Sequence, residues 1–270
     1  MITRQFGSEV RWMLRRPRTL IGLFGLMLVP ILISFGIWTA SDDGESGGGP
    51  PGLGAILQGN GMVVPIFTLF LSLNLLLPLV ASIWAADGLA GEAQHGTLRG
   101  LLVAPVSRVR LLFVKLFGLT AMSLFAVTLM AVVGIIAGTA FLGTDGMMTL
   151  SGTTLSTAEG LARIGLFILL VTFQMVAIGA VALAVSSTTE HPLVVQAATM
   201  TTIIVFQVLG QFTSLDWLHP FLITTGFPGL IDVMRDPIPL GQIGDSTLLA
   251  GCYLLIGTGL AAIRLVTKDS

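Results

Sequence analysis

The side chains able to do chemistry are few in this chain. Histidine occurs three times, at His95, His191 and His219, and cysteine once, at Cys252. The histidines show no His-Glu-x-x-His spacing and there is no second cysteine, so neither a metal site nor a disulfide within one chain is expected. ATP hydrolysis needs a phosphate-binding loop that ends in Gly-Lys followed by Ser or Thr. The lysines, Lys115 and Lys268, precede Leu116 and Asp269 instead. No glycine-framed serine lies in an apolar run with a histidine to activate it, so a serine hydrolase is unsupported. What remains are amides inside apolar stretches: Asn74 beside Pro78, Gln174, Gln196, Gln207 and Gln211. The last three fall within about 60° of one another on a helical projection. Amides so placed either line a substrate path or bond between helices, and pattern alone leaves both open. The 11 scattered methionines read as packing.

These amides need elements to hold them, and the composition says which. Of 270 residues, 54% are hydrophobic and 10% charged, with mean hydropathy +0.94, against about 25% charged in soluble domains. Crossing roughly 30 Å of hydrocarbon takes about 20 helical residues. Six runs of that kind occur, near residues 20–39, 62–86, 111–141, 161–186, 193–212 and 247–266. The expected fold is therefore all-α integral membrane, one transmembrane domain over 20–266 with six spans. The third run is long enough to tilt or to extend past the bilayer. Charged residues are nearly absent from the span centres, which argues against a proton- or sodium-coupled carrier.

Lysine and arginine collect on the cytoplasmic side of membrane proteins. Five arginines precede span 1, four basic residues follow span 2, and Arg264 and Lys268 close the sequence, so eleven of the 13 lie on one side. Only Arg163 and Arg235 fall on the other, where Asp42, Asp43, Glu45, Asp145, Glu159, Asp216, Asp232, Asp236 and Asp245 gather. Both termini are expected in the cytoplasm. The Gly/Pro-rich stretch 41–61 reads as a flexible outside loop. Residues 213–246 are too apolar for an ordinary solvated loop and are expected to include a stretch that dips back into the membrane behind a shield of protein.

Two segments on the basic side are amphipathic. Over residues 1–19, Arg4, Arg11, Arg15 and Arg18 share a sector opposite Ile2, Phe6, Val10, Met13 and Leu14, the pattern of an interfacial helix that meets lipid phosphate. Within the loop 87–110, Thr97 can cap a short helix whose Leu98, Leu101 and Leu102 recur at i, i+3 and i+4. Pro105 ends that helix after about two turns, and Ser107 can cap the next span. Flanked by Arg99 and Arg108, this apolar ridge either docks on another protein or rests on the membrane. Pattern does not choose between them.

The order Gly91-Glu92, Gly96-Thr97-Leu98, Leu101-Leu102, Pro105-Val106-Ser107-Arg108 and Lys115 resembles the loop between spans 2 and 3 of the ABC type-2 permease family. Length, span count and the amphipathic N-terminal segment are similar to that family as well. The resemblance implies a permease subunit of an ATP-binding-cassette exporter that pairs with a second permease, identical or homologous, and contacts a cytoplasmic ATP-binding-cassette ATPase. Residues 97–104 are then the coupling helix, Glu92 helps anchor the loop, and the turn carrying Glu190 and His191 makes a smaller contact with the ATPase. The pathway is implied to run between the second and fifth spans of two subunits. No cofactor is expected in this chain, since ATP and Mg²⁺ would belong to the partner. The other expectations are a multi-pass prokaryotic-type plasma membrane location, contact with membrane lipids, no nucleic acid, and a lipid, drug or other amphiphile as cargo. The alternative is a membrane anchor or mechanotransducer driven by the same kind of ATPase; it would be favoured by a large extracellular domain. An intramembrane enzyme would require clustered nucleophiles or acids.

Overall fold

The computed structural model describes residues 16–42, 60–94, 108–143 and 146–267. Its helices are α1 (Pro17–Asp42), α2 (Val64–Leu73), α3 (Leu76–Gln94), α4 (Arg108–Leu142), α5 (Thr157–Ser186), α6 (Pro192–Leu209), the single turn α7 (Phe227–Leu230) and α8 (Leu240–Thr267). Five of these are long and apolar enough to cross a membrane, and the bent pair α2–α3, counted as one span, makes six. Each lies on one of the six apolar runs. The chain is an all-α integral membrane protein. α4 has 35 residues and so extends about 50 Å, well beyond the hydrocarbon thickness.

α5 is the hub of the bundle, packing against α3, α4, α6 and α8, while α1 lies along α4. Burial follows: 67% of the most apolar window of α5 is buried inside the protein, against 22% for α1, α6 and α8. Helices that meet lipid have no hydrophobic reason to associate, so close approach must come from small residues. Gly257 of α8 supplies it, since a Cβ there would lie 2.7 Å from the Ala180 carbonyl carbon of α5. A Ser156–Glu159 capping box starts α5: Ser156 Oγ accepts from the Glu159 N–H at 3.3 Å, and Glu159 Oε2 accepts from the Ser156 N–H at 3.0 Å.

Two features lie outside the sequence expectations. Residues 147–155 form a small antiparallel hairpin, β1 (Met147–Met148) with β2 (Thr154–Leu155). Its loop closes because Gly152 adopts φ +81° and Thr149 bonds Thr153 through both backbone and hydroxyl. Residues 213–234 fold into consecutive short turns, Thr213–Phe221, Ile223–Gly226, α7 and Ile231–Met234. The last part of 213–246 belongs to α8, which begins at Leu240.

Polar contacts fasten both ends. At the acidic end, Arg163 of α5 donates to the carbonyls of Val233 (2.9 Å) and Arg235 and pairs with Asp236 at 3.0 Å. Arg235 pairs with Asp232 at 3.0 Å. Thus the two basic residues on this side are tied to acids of the 232–236 turn. At the basic end, Arg16 pairs with the nearly buried Asp87 at 2.7 Å, joining the start of α1 to α3. Ser186 Oγ accepts from the Ala90 N–H at 2.9 Å and donates to the Ala86 carbonyl, joining α5 to α3.

Gly257→Ala inserts a Cβ into the α5 backbone and is expected to cost about 1–3 kcal/mol. Gly259→Ala, with nothing within 4 Å of its added Cβ, is expected to gain up to about 1 kcal/mol of helix propensity. Melting temperatures of the two variants in detergent should move in opposite directions.

Candidate functional site

The bend in span 2 follows from one residue. Pro78 has no N–H, so the carbonyl four residues before it, that of Asn74, loses its helical partner. The chain tightens there, with Asn74 N–H bonding Leu71 O and Leu75 N–H bonding Ser72 O, both at 3.3 Å. It restarts as Leu79 N–H bonds Leu75 O at 3.0 Å, with α2 and α3 diverging by 61°. An orphan carbonyl is costly away from water. The Gln207 side-chain amide of α6 donates to it, while Asn74 Nδ2 donates back to Phe70 O at 3.2 Å. The break in one span is therefore satisfied from another.

The remaining amides divide by environment. Gln174 is 1% exposed. It donates to Ser246 O and Oγ at 3.2 and 2.9 Å, so it is engaged between α5 and α8. Gln196 on α6 is half-buried and Gln211, just past its end, is exposed. The structure thus brings Asn74 and Gln207 together and holds Gln174 apart from them.

Of the coupling residues, Gly96, Thr97, Leu98, Arg99, Leu101, Leu102, Pro105 and Ser107 lie outside the described residues, as does most of the amphipathic segment 1–19. The backbone of Glu92 continues α3 and that of Arg108 opens α4. Glu190 and His191 are exposed in the turn between α5 and α6. His191 sits at the N-cap position of α6 without a side-chain cap, and Pro192 takes the first helical position. Pro192 lines a cavity of about 580 Å³ together with Arg16, Asp87, Gly91 and Gln94. The turn therefore sits at the same end of the bundle as the exit of α3.

Sequence reasoning passed over Asp87 and Ser246. Asp87 had a signal, an acid just past the edge of an apolar span on a side crowded with arginine. Ser246 had none, because nothing in its neighbourhood distinguishes a helix-bridging serine from an exposed one.

A bundle of long apolar helices, one of them a span broken at Asn74–Leu75, defines a multi-pass membrane protein. The sequence model of the family described as ABC-2 family transporter protein matches residues 39–269, and the chain belongs to that family. No curated protein matches it significantly.

Gln207→Leu leaves the Asn74 carbonyl without a partner and is expected to cost about 1 kcal/mol. Pro78→Ala restores an N–H four residues on, so in that background the same change should cost almost nothing. Equal losses in both backgrounds, read from unfolding in detergent, would contradict the pairing.

Proposed function

We propose that this chain is the permease subunit of an ATP-binding-cassette exporter in a prokaryotic-type plasma membrane, acting as a dimer with an identical or homologous permease. The family match over residues 39–269 carries this reading. These 270 residues contain no phosphate-binding loop of their own, so the energy comes from a separate ATPase that binds ATP and Mg²⁺. That ATPase receives residues 97–104 as a coupling helix, with Leu98, Leu101 and Leu102 in its groove and Arg99 and Arg108 at the rim. Glu92 anchors the loop, and Glu190 with His191 make a second contact.

Closure of the ATPase on nucleotide pushes the basic end of the bundle. α3 leads directly into the coupling loop, so the push reaches the Asn74–Leu75 break, where α2 and α3 are joined by a bend rather than a rigid helix. Gln207 then links that break to α6. The pathway runs beside this pair, between span 2 and span 5 of two subunits, with Gln196 on α6 and Gln211 just past its end along the same route. An uncharged, amide-bearing interface suits an amphiphile, lipid or hydrophobic drug, because it offers hydrogen bonds without the desolvation cost of buried charge.

Co-purification from native membranes tests the partner. An ATPase subunit whose sequence contains the phosphate-binding loop should accompany the wild-type chain and be lost with Leu98→Asp or Leu102→Asp. A carboxylate forced into an apolar groove should weaken binding by at least about 2 kcal/mol, or roughly thirtyfold. Unchanged ATPase recovery and transport in both variants would remove the coupling assignment.

A further inference from the structure

A cavity of about 700 Å³ lies between residues 219–229 and the first half of α8, within the size range of small-molecule sites. Neither the Asn74–Gln207 pair nor the coupling residues line it. Asp245, Leu248, Leu249 and Cys252 do, and their i, i+3, i+4, i+7 spacing places them on one stripe of α8. A carboxylate therefore opens a track that turns apolar and ends at a thiol about 10 Å further along the helix. The stripe continues past the cavity through Leu255 and Ile256, which are 73% and 60% exposed. The facing segment lies flush on α8, because a Cβ on Gly226 would stand 2.8 Å from Ser246 Oγ and one on Gly229 would stand 2.9 Å from Gln242 Cβ.

Asp245 is the carboxylate in the lining of this cavity. Asp245 is exposed and has no ion-pair partner among the described residues. His219, the other charged-type group in the lining besides the Cys252 thiol, keeps Asp216 3.5 Å from its Nδ1, and its Nε2 is buried without a partner among the described residues. Among the described residues, no lysine or arginine lines the cavity. A carboxylate beside a low-dielectric wall attracts a cation more strongly than one in open water does.

We propose that this cavity binds a cationic amphiphile. Its single positive charge rests against Asp245, and its apolar body lies along Leu248, Leu249 and Cys252, open to the exposed face of α8. The site goes beyond the permease reading and does not depend on it. An ammonium-bearing lipid headgroup and a free cationic amphiphile present the same chemistry, and the experiment separates them.

Cys252 is the sole cysteine of the 270 residues and lies on the protein surface within a helix apolar enough to cross a membrane, so its alkylation by membrane-permeant N-ethylmaleimide reports occupancy directly. The chain is placed in nanodiscs of phosphatidylglycerol alone or mixed with phosphatidylethanolamine. Dodecyltrimethylammonium, or anionic lauroylsarcosine as control, is then added below its micellar concentration. In phosphatidylglycerol, dodecyltrimethylammonium should slow labelling at least about fivefold and saturably, lauroylsarcosine should not, and Asp245→Asn should raise the concentration needed about tenfold. Slow labelling produced by phosphatidylethanolamine without any additive, and relieved by Asp245→Asn, assigns the occupant to lipid. Fast labelling in both lipids, slowed by the added cation alone, assigns it to a mobile amphiphile. Equal protection by both detergents, no protection under any condition, or protection that survives Asp245→Asn overturns the proposal. Because no ATPase takes part, those outcomes leave the permease reading standing.

Discussion

Every backbone N–H and C=O that enters hydrocarbon must find its partner within the protein. Four of the six spans meet this demand as helices without an internal proline, α1 stays one helix across Pro30, and several span hydroxyls turn back onto their own backbone. Thr120 returns its proton to Leu116 O, Thr199 to Val195 O and Thr258 to Leu254 O. The sixth span cannot comply alone, because Pro78 removes the donor that Asn74 needs. Gln207 supplies it from α6, and that one bond ties the bent span to a neighbour. Were it absent, the 61° bend would leave the carbonyl of the half-buried Asn74 open, and the relative placement of α2, α3 and α6 would lose a polar anchor.

The two ends of the bundle are held differently. At the acidic end, Arg163 gathers the 232–236 turn onto α5, and the hairpin joins the same cluster where Asp236 N–H donates to Ser151 Oγ at 3.1 Å. At the basic end the fastenings are the Arg16–Asp87 pair and the Ser186 bridge, both bearing on α3. α3 is thus tied to α1 and to the central α5 on the far side of its bend.

The fold class was legible because hydropathy over about 20 residues is a strong signal, and the six apolar runs each became a span. Ends were less legible. α4 starts at Arg108 and α5 at Thr157, ahead of the apolar runs, because helical hydrogen bonding continues beyond the hydrocarbon and a capping box can start it in water. The bend was not legible, since Pro30 sits inside α1 without dividing it while Pro78 accompanies a 61° break, and a side chain from 133 residues away leaves no local mark. The hairpin escaped because two residues per strand show no alternation. Among the amides, position within apolar runs did not reveal that Gln174 turns towards Ser246 while Gln207 turns towards Asn74. Helical projection ranks residues by face and says nothing of which neighbour that face meets.

The central claim is that residues 97–104 seat in a separate ATPase. A photo-crosslinking amino acid placed at Leu98 in living cells, followed by mass spectrometry of the adduct, tests it directly. The expected product joins this chain to a subunit that contains a phosphate-binding loop, with the crosslink mapping to that subunit's surface. Adducts to lipid alone, with none to an ATPase even in the presence of nucleotide, would contradict it.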